Sequence, residues 1–171
     1  LEVAPALVAL ALLIATRKRF PLTPLAYWLI LLHAIVLMVG GHYTYAEVPA
    51  GDWLRDFVGG ERNNYDKLGH LAQGFVPAIV AREILLRNRV IGRRGWLPFL
   101  VVCICLSIAA VYELLEWWVA LIAEEAAESF LGTQGYVWDT QSDMFLAGVG
   151  AVLALLTLGR LHDRQLQNVR S

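Results

Sequence analysis

Asp66 and His70 stand four residues apart, Glu113 and Glu116 three apart, and Asp139 and Asp143 four apart. At 3.6 residues per turn, each pair falls on one side of a helix. Carboxylates and imidazole at these spacings, projecting from facing helices, are how helix bundles build metal centres. Mixed oxygen and nitrogen donors suit zinc, manganese or iron, and an all-oxygen subset suits magnesium or calcium. Carboxylates gathered without a cation repel one another, and Lys67 alone brings too little charge to offset them. The expectation is a divalent ion (zinc, manganese or magnesium) held by Asp66, His70, Glu113, Asp139 and Asp143. Glu116 is then the candidate general base, acting on water or phosphate polarised by the metal.

Simpler roles compete at single positions. Asp66 and Asp139 open helices, where a carboxylate is stabilised by the helix dipole alone. Glu113 lies deepest and has no helix end to serve, so it argues most strongly for a site. His70 is equally readable as a packed core histidine. His33, alone in an apolar stretch, reads as a packing or hydrogen-bonding residue. Arg82 and Glu83 read as anchors at a membrane interface, and Trp117, Trp118 and Trp138 as an aromatic belt. Gly132-Thr133-Gln134-Gly135 before Trp138-Asp139 is a turn that could approach an anion through backbone N–H groups, though it matches no phosphate-loop spacing.

The elements that must position these residues are membrane helices. The 171 residues are 58% hydrophobic and 17% charged, against roughly 25% charged in soluble domains. One soluble core could not hide so many apolar side chains. The net charge of -1 leaves no basic face for nucleic acid. About 20 apolar residues cross a bilayer, and candidate spans fall at 3–16, 22–45, 66–86, 96–123 and 139–158. The first is short and is read as a truncated or short-ended spanning helix rather than a signal peptide, since no basic residue precedes it and no cleavage site is convincing. Trp53, Leu54, Phe57 and Val58 share one side of a short interfacial helix that Gly59-Gly60 would end, with Asn63 or Asn64 capping the next span. Cys103 and Cys105 are two apart in a helix and point apart, so neither a disulfide nor a metal pair follows. The expected fold is an all-α polytopic bundle of about five transmembrane helices in a single domain.

Charge orients it. Arg17, Lys18 and Arg19, then Arg82, Arg87, Arg89, Arg93 and Arg94, then Arg160, Arg164 and Arg170 cluster at alternate connections, and the remaining loops are acidic. Basic loops stay cytoplasmic, which places the acidic loops, the interfacial helix and all three polar pairs toward the periplasm. Their common depth on three helices is the strongest functional signal in the chain.

Together, His42-Tyr43-Thr44-Tyr45, Tyr65-Asp66-Lys67-Leu68-Gly69-His70, Gln73-Gly74-Phe75, Tyr112-Glu113-Leu114-Leu115-Glu116-Trp117-Trp118 and Gly132-Thr133-Gln134-Gly135 with Trp138-Asp139-Thr140-Gln141 resemble the YjdF-type family of bacterial inner-membrane proteins, over roughly residues 22 to 160. The layout also resembles the VanZ-like membrane proteins, in which Asn commonly replaces the acid at Asp143. The resemblance implies a multi-helix protein of the bacterial inner membrane and implies no reaction. The residues themselves suggest a metal-dependent hydrolase or transferase on a lipid-linked or phosphorylated substrate. A cation- or proton-coupled carrier and a structural subunit docking a partner membrane protein or a second copy are the alternatives. Against a carrier, the inner halves of the helices offer no polar path beyond His33.

Overall fold

The computed structural model describes residues 3–58, 63–122 and 137–169, which form helices without a strand. In chain order these are α1 (Ala4–Thr16), α2 (Pro24–Tyr43), α3 (Pro49–Val58), α4 (Tyr65–Arg87), α5 (Leu97–Ile122) and α6 (Asp139–Val169). Short 3-10 turns at Tyr45–Glu47 and Arg94–Trp96 precede α3 and α5. Among the described residues, three helices are long and apolar enough to cross a membrane: α2, α5 with its leading turn, and α6. α1 is apolar but has only 13 residues. The 23 residues of α4 make about 34 Å at 1.5 Å per residue, enough to cross, with the charged residues confined to its ends. Gly59-Gly60, the acidic stretch 124–136 and the Gly132–Gly135 turn lie outside the described residues.

α4 sits at the centre, against α2, α5 and α6. Its closest partner is α6, and small residues explain why. Gly74 lies against the Ala147 backbone and Gly150 against that of Leu71, so tightly that a Cβ at either would overlap a carbonyl oxygen. Ala147, Ala151 and Ala154 continue the stripe on α6, facing Ala78 and Ile79 of α4, all buried. Where lipid removes the hydrophobic drive between helices, such close backbone approach gains van der Waals contact instead. Outward faces stay apolar, as lipid requires: Trp28, Phe145 and Leu156 are among the exposed side chains.

Local signals set the helix starts. Thr23 caps α2, its hydroxyl accepting from the Ala26 N–H ahead of Pro24 at the first helical position, where a missing N–H does no harm. Asn64 is the residue before α4, yet the working side chain is Asn63. Its Oδ1 accepts from Tyr65 N, while its Nδ2 donates to the Val48 carbonyl and to Asp52. The interfacial α3 is thereby tied to the start of α4. Trp53 on α3 is 82% exposed.

Two features depart from the sequence expectation. α6 continues eleven residues beyond 158, to Val169. Arg82 and Glu83 are not interface anchors but are buried, Glu83 completely.

Candidate functional site: an open and a closed polar cluster

The α4–α6 seam carries one polar cluster at each end. At the Glu83 end every partner is in place. Glu83 accepts from the Thr23 backbone N–H at 3.0 Å, the Thr23 hydroxyl at 2.7 Å, Arg87 at 2.8 Å and His162 Nε2 at 3.1 Å. Arg82 donates to His162 Nδ1 at 3.0 Å and to Asp163 at 2.8 Å. Because arginine only donates, His162 Nδ1 must accept, which fixes the tautomer with the proton on Nε2, aimed at Glu83. Nearby, Gln165 Oε1 accepts from Leu25 N at 2.8 Å, satisfying one orphan N–H of the first turn of α2. Buried polar groups that are fully bonded lock elements together. This cluster joins α2, α4 and α6.

The other end is built differently. His70, one turn into α4, is 5% exposed, and Asp143, one turn into α6, is 3% exposed. His70 Nε2 lies 3.5 Å from Asp66 Oδ1, 3.8 Å from Glu113 Oε1 and 4.0 Å from Asp143 Oδ2. Carboxylates from three helices thus surround one imidazole nitrogen, all beyond the 2.7–3.2 Å of an ordinary hydrogen bond. His70 Nδ1, Glu113 Oε1, Asp143 Oδ1 and Gln73 Nε2 are buried without hydrogen-bond partners. A tetrahedral ion at 2.0–2.2 Å from its donors holds them about 3.3–3.6 Å apart. The three distances from His70 need to contract by tenths of an ångström, and the acids must close further on one another. Ligand atoms of Asp66, His70 and Asp143 all lie within 4.8 Å of one another. One element of a mature metal site is missing among the described residues: ligating histidines usually donate their second N–H, and His70 Nδ1 has no acceptor.

The remaining sequence candidates lie around this centre. Glu113 on α5 lies within interaction range of Thr140 on α6. Glu116 and Asp139 line the same cavity as the centre, together with Tyr45 and Tyr112. Glu116 is within electrostatic reach of Glu113, His70, Asp66 and Asp143. Lys67 donates to Ser142 at 3.1 Å, a second link between α4 and α6. His42 does not line that cavity; its ring stands edge-on to Tyr43 at 4.7 Å. Trp117, Trp118 and Trp138 are exposed at this end of the bundle, as an aromatic belt would be.

Of the partners that the sequence does not single out (Thr23, His162, Asp163 and Gln165), His162 is the most buried ionisable one. Its signal was present: Asp143, Ala147, Ala151, Ala154, His162 and Leu166 continue one buried helical stripe. The apolar window ends before it does.

A chain whose described residues build helices without a strand, with lipid-compatible outer faces and a carboxylate–imidazole centre under one end, is a polytopic membrane protein. The family described as "Predicted membrane protein (DUF2238)" matches residues 1–164. The chain belongs to that family. It is 56% identical over 167 residues to the inner membrane protein YjdF of Escherichia coli strain K12, covering 98% of this chain and 80% of that relative. No solved structure matches. The relative's name and the apolar helices support a location in the bacterial inner membrane.

Proposed function

We propose that the protein binds a divalent cation at Asp66, His70, Glu113 and Asp143, with Asp139 completing the set, and uses it to act on a phosphorylated or lipid-linked substrate. The observation that carries this reading is the contrast along one helix pair. The cluster at Glu83 is saturated by protein hydrogen bonds, whereas that at His70 leaves His70 Nδ1, Glu113 Oε1 and Asp143 Oδ1 buried without partners. Groups left so at a buried, costly position are groups kept for a ligand. Zinc, manganese and magnesium all suit carboxylate donors, and the imidazole favours the first two.

In this reading α1, α2, α4, α5 and α6 all cross the membrane as one domain. Arg17, Lys18 and Arg19, the 87–94 connection and Arg160 with Arg164 face the cytoplasm, and the His70 centre faces the periplasm. The ion would polarise a phosphoryl oxygen or bound water, and Glu116, lining the same cavity, would take the proton as general base. A Glu116→Gln variant is then expected to keep its metal and lose at least about 100-fold in turnover when phosphate release from phospholipid is assayed in the metal-loaded protein. Full turnover in that variant would remove Glu116 from the mechanism.

The carrier alternative gains one observation, since the Glu83 end does hold buried ionisable groups. Their complete pairing still favours a helix lock over a moving ion path. Proton or cation flux into proteoliposomes, abolished by Asp143→Asn, would favour the carrier instead.

A further inference from the structure

A cavity of about 1080 Å³ extends away from the His70 centre, at the upper end of the roughly 300–1,000 Å³ of small-molecule sites. α4 lines it along one uninterrupted face, through Asp66, His70, Gln73, Pro77, Val80 and Ile84. From Asp66 to Ile84 that face measures about 27 Å at 1.5 Å per residue, nearly the roughly 30 Å hydrocarbon thickness of a bilayer. The opposing wall comes from α1 at Ala9 and Leu13, from α2 at His33 and Ala34, and from α5 at Ile108. The cavity is therefore a groove of membrane length, not a pocket confined to the polar centre.

Its chemistry is graded. Carboxylates and imidazole occupy one end, His33 and Gln73 come next, and aliphatic side chains fill the wall beyond. The middle station is under-bonded twice over. The side-chain Nε2 atoms of both His33 and Gln73 are buried without partners, and Pro77 removes the N–H that would otherwise serve the Gln73 carbonyl. A bare hydrogen-bonding station one turn below a cation site matches a molecule with a phosphate, a carbonyl a few bonds further on, and then a long apolar chain.

We propose that the groove binds a diacyl phospholipid. Its phosphate meets the His70 centre, an ester carbonyl engages His33 or Gln73, and one acyl chain runs along α4 toward Ile84. The placement of the phosphate rests on the cation reading above, because a divalent ion is what joins a phosphate to a carboxylate-rich end.

The test uses full-length protein in dodecyl maltoside with a phosphatidylglycerol carrying a diazirine midway along one acyl chain. After irradiation, cross-links are mapped by peptide mass spectrometry. The expected result is labelling concentrated between Val76 and Ile84 and on the facing part of α1. Unlabelled phosphatidylglycerol should compete it away, and the dialkyl-ether analogue, which lacks the carbonyl, should compete about fivefold less well. Ala34→Trp, which fills the groove wall, should abolish that labelling while metal content is unchanged. Should that variant fail to fold, the competition in wild-type protein decides alone. Labelling spread evenly over the exposed faces at Trp28, Phe145 and Leu156, or equal competition by the ether lipid, would overturn the proposal. The two readings fail separately: concentrated labelling on metal-free wild type sinks the cation, and bound metal with unfocused labelling sinks the lipid groove.

Discussion

Two buried histidines illustrate how the same side chain is put to different use. His162 has both ring nitrogens bonded, to Arg82 and Glu83, and removing it leaves Glu83 and Arg82 each short of a partner in a buried position. Breaking a buried, bonded ionic network by deleting one member costs on the order of 3 kcal/mol. His162→Ala and Glu83→Gln are expected to lower the thermal midpoint in detergent substantially, whether or not chelator is present. At the other end the logic reverses. His70 faces its acids only at 3.5–4.0 Å, so in chelator Asp143→Asn gives up one long contact to His70 while relieving a buried carboxylate of desolvation and of repulsion by Asp66 and Asp139. That variant should melt no lower than wild type in chelator, and should lack the stabilisation that added metal gives wild type, RT ln(1 + [L]/Kd). A metal-induced rise of equal size in Asp143→Asn would exclude Asp143 as a ligand.

Among the elements, the seam between α4 and α6 decides whether either cluster exists. Gly74 and Gly150 bring the two backbones together where no Cβ fits, and His70 and Asp143 sit one turn from Gly74 and Ala147 respectively. Gly74→Leu forces the helices apart, an overpacking cost of about 1–3 kcal/mol. It should lower thermal stability and metal affinity together. Retention of wild-type affinity would show that the centre does not depend on this packing. The all-α character and the sharing of a helix side within each polar pair were legible in the sequence, because apolar runs and (i, i+4) spacing are local properties; the end of α6 was not, because its last eleven residues lie past the apolar window. Convergence was not, because equal depth is compatible with facing different neighbours. The Glu83 network was misread for the same reason. Its partners Thr23 and His162 lie 60 and 79 residues away, and a charged pair at a helix end looks like an interface anchor until those partners are known. Asn63 shows the limit at finer scale. An asparagine cap was expected before α4, but that its amide would also hold Val48 and Asp52 of the α3 region follows only from the folded chain.

At the scale of the molecule, the bundle is asymmetric along the membrane normal, with a sealed end rich in arginine and an end where acids gather around an under-bonded centre. Basic connections at one end fix the expected orientation. Cysteines placed by Asp52→Cys and Arg164→Cys, with Cys103→Ala and Cys105→Ala, should react oppositely with an impermeant maleimide. Asp52→Cys is expected to label in intact cells and Arg164→Cys only after permeabilisation; the reverse pattern would invert the assignment of the His70 centre to the periplasm. What this asymmetry is for depends on the ion. The most direct measurement is the metal content of wild-type protein purified without chelator, beside His70→Ala and His162→Ala. Near-stoichiometric zinc, manganese or magnesium is expected in wild type and in whatever His162→Ala remains folded, and none in His70→Ala. Folded wild-type protein free of metal, or metal retained by His70→Ala, would contradict that expectation and leave the acids as a helix-pairing device.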